Sequence, residues 1–217
     1  MTLKRIMKKL GIILGVLVII GIFILILVVT AGGSYNRLVK LSQAVDSQWA
    51  QVQNVYQRRA DLIPNLVATV SGAAGFEKST LTEITQARAS VGQVKIDPNT
   101  APTDPAKLAA FDQAQGQLSS ALSRLMVVVE RYPNLTATEN FRDLQAQLEG
   151  TENRISVERR DFNQAVQAYD TAIKSFPTLF YAGAMHFYEK PYFSAAPGAE
   201  TAPKVQFNFG NPATNTP

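Results

Sequence analysis

The sequence predicts an all-α protein: an N-terminal transmembrane helix followed by an antiparallel up-and-down four-helix bundle with two long helices. Three observations carry that prediction. Leu10 to Val29 is a run of twenty uncharged residues. Two later stretches, each nearly forty residues long, place apolar side chains at alternating intervals of three and four. No segment alternates apolar and polar residues long enough to read as a strand.

The uncharged run sets Gly11, Gly15 and Gly21 among Ile, Leu, Val and Phe. At ~1.5 Å per residue it makes a rod of about 30 Å, the thickness of a bilayer's hydrocarbon core. A helix satisfies its own backbone in lipid and needs no outside partner there. The rival reading is a cleaved secretory signal, with Lys4, Arg5, Lys8 and Lys9 as its positive end. The run exceeds the usual apolar length of about 7–15 residues, and Val28-Val29-Thr30-Ala31 is a poor cleavage site. The chain has no cysteine, so a lipoprotein anchor, disulfides and thiolate metal sites are excluded. Four basic residues precede the span, and only Arg37 and Lys40 follow closely. The expectation is a single pass in a bacterial cell membrane, with a cytoplasmic N-terminus and an exterior or periplasmic body.

The net charge of +4 invites a nucleic-acid partner, but it sits entirely in the first nine residues. The remainder carries seventeen basic and seventeen acidic residues and has no overall drive toward phosphate. The expected organisation is a basic segment and anchor over residues 1–32, a bundle over 33–193, and a disordered tail over 194–217, rich in Pro, Ala, Gly, Asn and Thr.

Gly32-Gly33-Ser34 should break the membrane helix, with Ser34 capping the next one. Tyr35, Leu38, Ser42, Val45, Trp49, Val52, Tyr56, Arg59, Ile63, Leu66 and Val70 then form a heptad seam, flanked by Leu41, Val55 and Leu62. Pro64 should kink this helix near Ala60–Asp61. A shorter helix over 76–91 turns Leu81, Ile84, Arg88 and Val91 inward. A loop rich in proline follows, and Asp104-Pro105 opens a third helix that runs to about Arg131. Thr136 with Glu139 reads as a capping box. It opens a second long seam: Phe141, Leu144, Leu148, Thr151, Ile155, Glu158, Phe162, Ala165, Tyr169, Ala172 and Phe176, closed by Pro177. Each long helix would extend about 60 Å.

Several words in this chain are familiar. Tyr35-Asn36-Arg37-Leu38-Val39, Trp49-Ala50-Gln51-Val52 and the run from Tyr56-Gln57-Arg58-Arg59 to Ile63-Pro64-Asn65-Leu66-Val67 resemble the LemA family of bacterial membrane proteins. So do Thr85-Gln86-Ala87-Arg88-Ala89, Tyr132-Pro133-Asn134-Leu135, Glu139-Asn140-Phe141, Thr151-Glu152-Asn153-Arg154-Ile155, Arg159-Arg160-Asp161-Phe162-Asn163, Phe176-Pro177 and Lys190-Pro191-Tyr192-Phe193. The resemblance runs from about residue 35 to 193. It implies a helical bundle behind a membrane segment, with an association to membrane proteases and envelope stress. It implies no particular chemistry.

Among polar residues, Arg59 and Glu158 occupy seam positions. In an end-matched antiparallel pair Arg59 falls level with Glu152 and within two turns of Glu158. A buried charge demands a partner, so a structural ion pair among Arg59, Glu152 and Glu158 is expected. Glu83, Glu130, Glu139, Glu152 and Glu158 are material for a di-iron site. That site needs Glu-x-x-His, however, and the lone His186 has no Glu three residues before it. No nucleophile motif, phosphate loop or other cofactor signature occurs. Residues 176–193 hold seven of the nineteen aromatics, a density that marks them out. Phe180, Tyr181, Phe187, Tyr188, Tyr192 and Phe193 are expected either to cap the bundle as core or to meet headgroups or a docked protein.

These readings converge on a non-enzymatic, membrane-anchored scaffold or adaptor of the cell envelope. Its expected partners are lipid through the N-terminal helix, envelope proteins or a membrane protease, and copies of itself as a homo-oligomer. The alternatives are membrane remodelling and an enzyme built on bundle carboxylates and arginines.

Overall fold

The computed structural model describes residues 2–73 and 75–194, with side chains from Leu14 onward except those of residues 27 and 31. Residues 195–217 of the expected tail lie outside the described residues. Among the described residues there are α-helices at Thr2–Ser71 (α1), Lys78–Gln93 (α2), Pro105–Val129 (α3), Pro133–Thr136 (α4) and Glu139–Lys174 (α5). Two 3-10 turns follow at Thr178–Phe180 and Gly183–Met185, and there is no strand among the described residues.

α1 joins the apolar run and the first seam in one unbroken helix of 70 residues. The break expected at Gly32-Gly33-Ser34 does not occur. A glycine costs a helix only ~1 kcal/mol relative to alanine, and Ser34 does not cap: its hydroxyl donates back to the Thr30 carbonyl at 2.9 Å. Pro64 also lies inside α1. Proline lacks the N–H that would bond the carbonyl four residues back. That carbonyl, on Ala60, instead accepts Arg88 Nε from α2 at 3.3 Å.

α1 and α5 are antiparallel neighbours over most of the bundle. The ring centroids of Trp49 and Phe162 are 5.6 Å apart, and Arg59 Nη1 is 2.8 Å from Glu152. Ten residues along α1 thus match ten residues back along α5, as two antiparallel helices of equal rise require. The seam side chains from Leu38 to Val70 are buried, apart from the half-buried Ser42. Burial at this three-four spacing is what drives the pairing.

α2 and α3 form the second pair, but α2 has only 16 residues and covers only the half of the bundle far from the membrane segment. The chain completes the near half as an extended strap over 94–104, because Pro98, Pro102, Asp97 and Asn99 oppose a helix there. Trp49 Nε1 donates to the Asp97 carbonyl at 2.9 Å, and the Ala101 N–H donates to Asp46 at 3.0 Å. Asp104 then caps α3 by accepting from the Ala106 N–H at 2.9 Å. The turn between α1 and α2 uses Gly75 at φ +78°, a backbone state that favours glycine.

The capping box expected at Thr136 and Glu139 is replaced by a different device. Pro133 takes the first turn of the short α4, and the Thr136 hydroxyl donates to the Pro133 carbonyl at 3.0 Å. α5 starts after Thr138, whose hydroxyl donates to the Leu135 carbonyl and not to a helix N–H.

Among the described residues the interior has two apolar clusters. One, centred on Trp49, Phe111, Phe162 and Phe193, fills the end from which the membrane segment leaves. The other, built from Ile63, Leu66, Ile84, Leu118, Leu125 and Phe141, fills the far end.

Candidate functional site

Between the two clusters lies a polar layer built on Arg59, which is 1% exposed. A side chain with five N–H donors and no acceptor must find oxygens when buried. Arg59 Nη1 donates to Glu152 and to Ser119 Oγ, both at 2.8 Å. Nη2 donates to the side-chain and backbone oxygens of Gln115, itself a buried residue of α3. The guanidinium also lies over the Tyr56 ring, 5.1 Å from its centroid. Burial pushes the Tyr56 hydroxyl's pKa up, although Arg159 and Arg59 oppose the shift. Nε alone has no partner among the described residues.

Arg59 therefore ties α1, α3 and α5 together. Glu158 does not join it. Glu158 accepts from Gln48 Nε2 at 2.8 Å and lies 3.8 Å from Arg154. Its six-residue separation from Glu152 amounts to about 9 Å along α5, beyond the reach of one guanidinium. A cleft of about 190 Å³ opens beside Arg59, lined by Ser119, Ser123, Met126, Gln145 and Glu152 among others.

A second polar group lies nearer the membrane segment, where the C-terminal segment turns back along α5. Lys190 is buried; its Nζ is 2.8 Å from Asp46 of α1 and 5.6 Å from the centroid of the Tyr169 ring. The Lys190 backbone N–H donates to Asp170 at 3.1 Å. Burial raises the pKa of the Asp170 carboxyl, with the Lys190 N–H acting against the shift. Burial also pushes Tyr169 up to about 12. Three residues on, Asn163 clamps the backbone of Phe193, donating to its carbonyl and accepting from its N–H, both at 2.9 Å. Arg159 sits 4.5 Å from the Phe193 ring centroid and 2.8 Å from Asp112. A groove of about 1030 Å³ runs between α3 and this segment, with Asp112, Arg159, Asp170 and Lys190 in its wall. Each of these four groups is already paired within the chain, so the groove is a braced seam between elements.

The aromatic segment divides by burial. Phe193 enters the core, stacking at 6.1 Å on Trp49, and Phe187 packs edge-on to Tyr35 at 5.6 Å. Tyr181 is half-buried, and its hydroxyl lacks a partner among the described residues. Tyr192 is partly exposed, Tyr188 is largely exposed, and Phe180 is 78% exposed. Phe176, placed last in the second seam by its spacing, is 82% exposed, because α5 ends at Lys174 and the chain leaves the seam direction. The sequence pattern thus found the segment but not its sorting. Asp46, Asp170, Lys190 and Asn163 carried no periodic signal. Of these, only Asn163 and Lys190 fall in the familiar words, Arg159-to-Asn163 and Lys190-to-Phe193, and the structure brings those two words together through the Asn163–Phe193 bonds.

The carboxylates considered for a di-iron site are dispersed. Glu83 pairs with Arg124, Glu152 with Arg59, and Glu158 with Arg154. Among the described residues no three His, Asp or Glu side chains gather as a metal site. His186 is exposed and adopts φ 61° at the end of the second 3-10 turn.

Comparison with known proteins matches the LemA family over residues 48–207. Magnetosome protein MamQ 2 of Paramagnetospirillum magneticum is 28% identical over 182 residues, covering 77% of this chain and 67% of that protein. Magnetosome protein MamQ of Magnetospirillum gryphiswaldense is 27% identical over the same coverage. Protein LemA of Metamycoplasma hominis is 24% identical over 189 residues, covering 87% and 80% of the two chains. The family match covers most of the helical body, Arg59 layer and C-terminal segment included, and this chain belongs to the LemA family.

Proposed function

We propose that this protein is a membrane-anchored, non-enzymatic scaffold of the bacterial cell envelope. In this reading the domains are an anchor, a bundle and a tail, and the long outer faces of α1 and α5 bind envelope proteins or further copies of the chain. The observation that supports it is the continuity of α1. One helix carries an apolar stretch with every described side chain in its window exposed and, further on, half of the bundle's seam. A rod of that kind holds a binding surface at a fixed distance from the bilayer and concentrates it there. The charged groups that converge in the bundle are committed to one another as braces, which favours a binding role over catalysis.

The test is site-specific photo-crosslinking in the native membrane. Crosslinkers placed at the exposed Ala146 and Gln167 of α5 report along its outer face. Discrete adducts with one envelope protein, or with a second copy, at neighbouring positions on one helical face support the reading. Adducts absent from every outward position, with the protein fully folded, refute it.

A further inference from the structure

Among the described residues beyond 34, eight large apolar or aromatic side chains are exposed: Tyr35, Val127, Val157, Phe176, Leu179, Phe180, Tyr188 and Tyr192. They are not spread evenly. Phe176, Leu179 and Phe180 crowd around one 3-10 turn, with the rings of Phe176 and Phe180 6.0 Å apart and edge-on. These three are 82%, 58% and 78% exposed. The turn follows α5 directly and is fixed to its end by the Leu179 N–H, which donates to the Ser175 carbonyl at 2.9 Å. Behind it, Thr178 and Ala182 are buried against the bundle. The turn is therefore held rigidly with its apolar side outward.

Its height above the membrane follows from the helices. The Trp49–Phe162 contact fixes the antiparallel register. Equal rise on both helices then puts Ile173 level with Leu38 and Lys174, the last residue of α5, level with Arg37. The turn just beyond it therefore lies at about the level of Tyr35, whose ring meets Phe187 at 5.6 Å. Tyr35 is six residues beyond Val29, the last residue of the apolar run, about 9 Å up an unbroken helix. The polar interface of a bilayer leaflet is itself about 5–7 Å thick. A lean of about 20° toward α5 lowers a neighbouring helix end about 10 Å away by about 3 Å, which brings the turn into that interface. The exposed Arg37 and Lys40 stand on the same turns of α1, where cations meet anionic headgroups.

We propose that Phe176, Leu179 and Phe180 form a second membrane contact, seated in the interface of the leaflet that the bundle faces. Phenylalanine and leucine gain by leaving water at that level, and the neighbouring tyrosines Tyr35 and Tyr188 suit the headgroup zone with ring below and hydroxyl above. The occupant is lipid, because the patch is continuous in height with the end of a membrane-spanning helix. The inference rests on α1 anchoring the chain in the bilayer.

The absence of cysteine allows a clean test. Full-length protein carrying Leu179→Cys, Leu17→Cys or Val127→Cys is labelled with an environment-sensitive fluorophore and reconstituted into phosphatidylethanolamine–phosphatidylglycerol vesicles. Leu17 lies in the apolar run, and Val127 is 67% exposed on α3 at the far end of the bundle. Quenching is then measured with lipids brominated on their acyl chains and, separately, with aqueous iodide. The expected result is lipid quenching at 179 several-fold above that at 127, with a blue-shifted emission, and the strongest lipid quenching at 17. A label at 179 quenched by iodide as strongly as the label at 127 overturns the contact while leaving the anchor intact. A label at 179 shielded from both quenchers also overturns it, because protein and not lipid then covers the patch. Loss of lipid quenching at 17 overturns both the anchor and the contact.

Discussion

Replacing Arg59 with methionine is the sharpest perturbation of the bundle. Methionine fills most of the volume of the aliphatic stem but donates no hydrogen bond. Glu152 is half-exposed, so its carboxylate turns to water at little cost. Gln115 is 4% exposed and cannot do so. Its side-chain oxygen becomes a buried acceptor without a donor, which costs about 1–3 kcal/mol. Adding the lost charge-assisted bonds to Ser119 and Gln115, the expected destabilisation is about 2–4 kcal/mol. Trp49, the chain's sole tryptophan, lies fully buried in the adjoining cluster and reports unfolding by fluorescence. In urea, with the protein in detergent, the midpoint should fall by about 1–2 M for a slope near 2 kcal/mol per M. The second variant, Gln115→Met, removes the orphaned acceptor. Arg59→Met with Gln115→Met should therefore unfold within about 1 kcal/mol of the unaltered protein, as all-apolar replacements of buried polar pairs often do. The double-mutant cycle should show a coupling of about 1–3 kcal/mol. Strict additivity, or an Arg59→Met midpoint equal to that of the unaltered protein, would show that the Arg59 layer does not brace the three helices.

Three further expectations follow from the same contacts. Asp170 has a raised native pKa, so its unfolded form releases its proton first, and its contribution to stability falls as pH rises from about 3.8 through the native value. Asp170→Asn keeps the oxygen that accepts from Lys190, so thermal unfolding of that variant should show a flatter pH dependence across this window; an unchanged profile would contradict the assignment. Arg88→Met leaves the Ala60 carbonyl unbonded and should cost about 1 kcal/mol, whereas in a Pro64→Ala background, where the backbone bond returns, the same change should cost almost nothing; equal costs in both backgrounds would remove the link between the two residues. Asn163→Ala deletes both bonds to the Phe193 backbone and should increase hydrogen exchange over residues 187–194 while leaving α1 protected; uniform protection would mean that packing alone holds the segment.

The two seams were legible because burial follows helical period, and period survives in a linear sequence. The burial of Val45, Trp49, Ile63, Phe141, Phe162 and Tyr169 was readable from spacing alone. The Arg59–Glu152 register followed from it, since equal steps on antiparallel helices leave little freedom. Local punctuation was less reliable. Gly32 and Gly33 looked like a break because glycine weakens helices, yet each costs far less than ending the helix with uncapped groups. Thr136 and Glu139 had the spacing of a capping box, but Pro133 had already started a turn that absorbed Thr136. The strap over 94–104 and the segment over 187–194 are extended and irregular. Their contacts, such as Lys190 with Asp46 across 144 positions, depend on the assembled shape and leave no periodic trace.

The uninterrupted passage of α1 from apolar run to bundle has a mechanical consequence. With no hinge at Gly32-Gly33-Ser34, any lean of the buried portion is inherited by the body above it. Spans commonly lean by about 20°, and they lean further where the bilayer is thinner than the apolar stretch. The roughly 55 Å of α1 beyond Ser34 would convert such a lean into a sideways sweep of about 19 Å at its tip. Local bilayer thickness would then set where the far end of the molecule points, and so which neighbours it can reach.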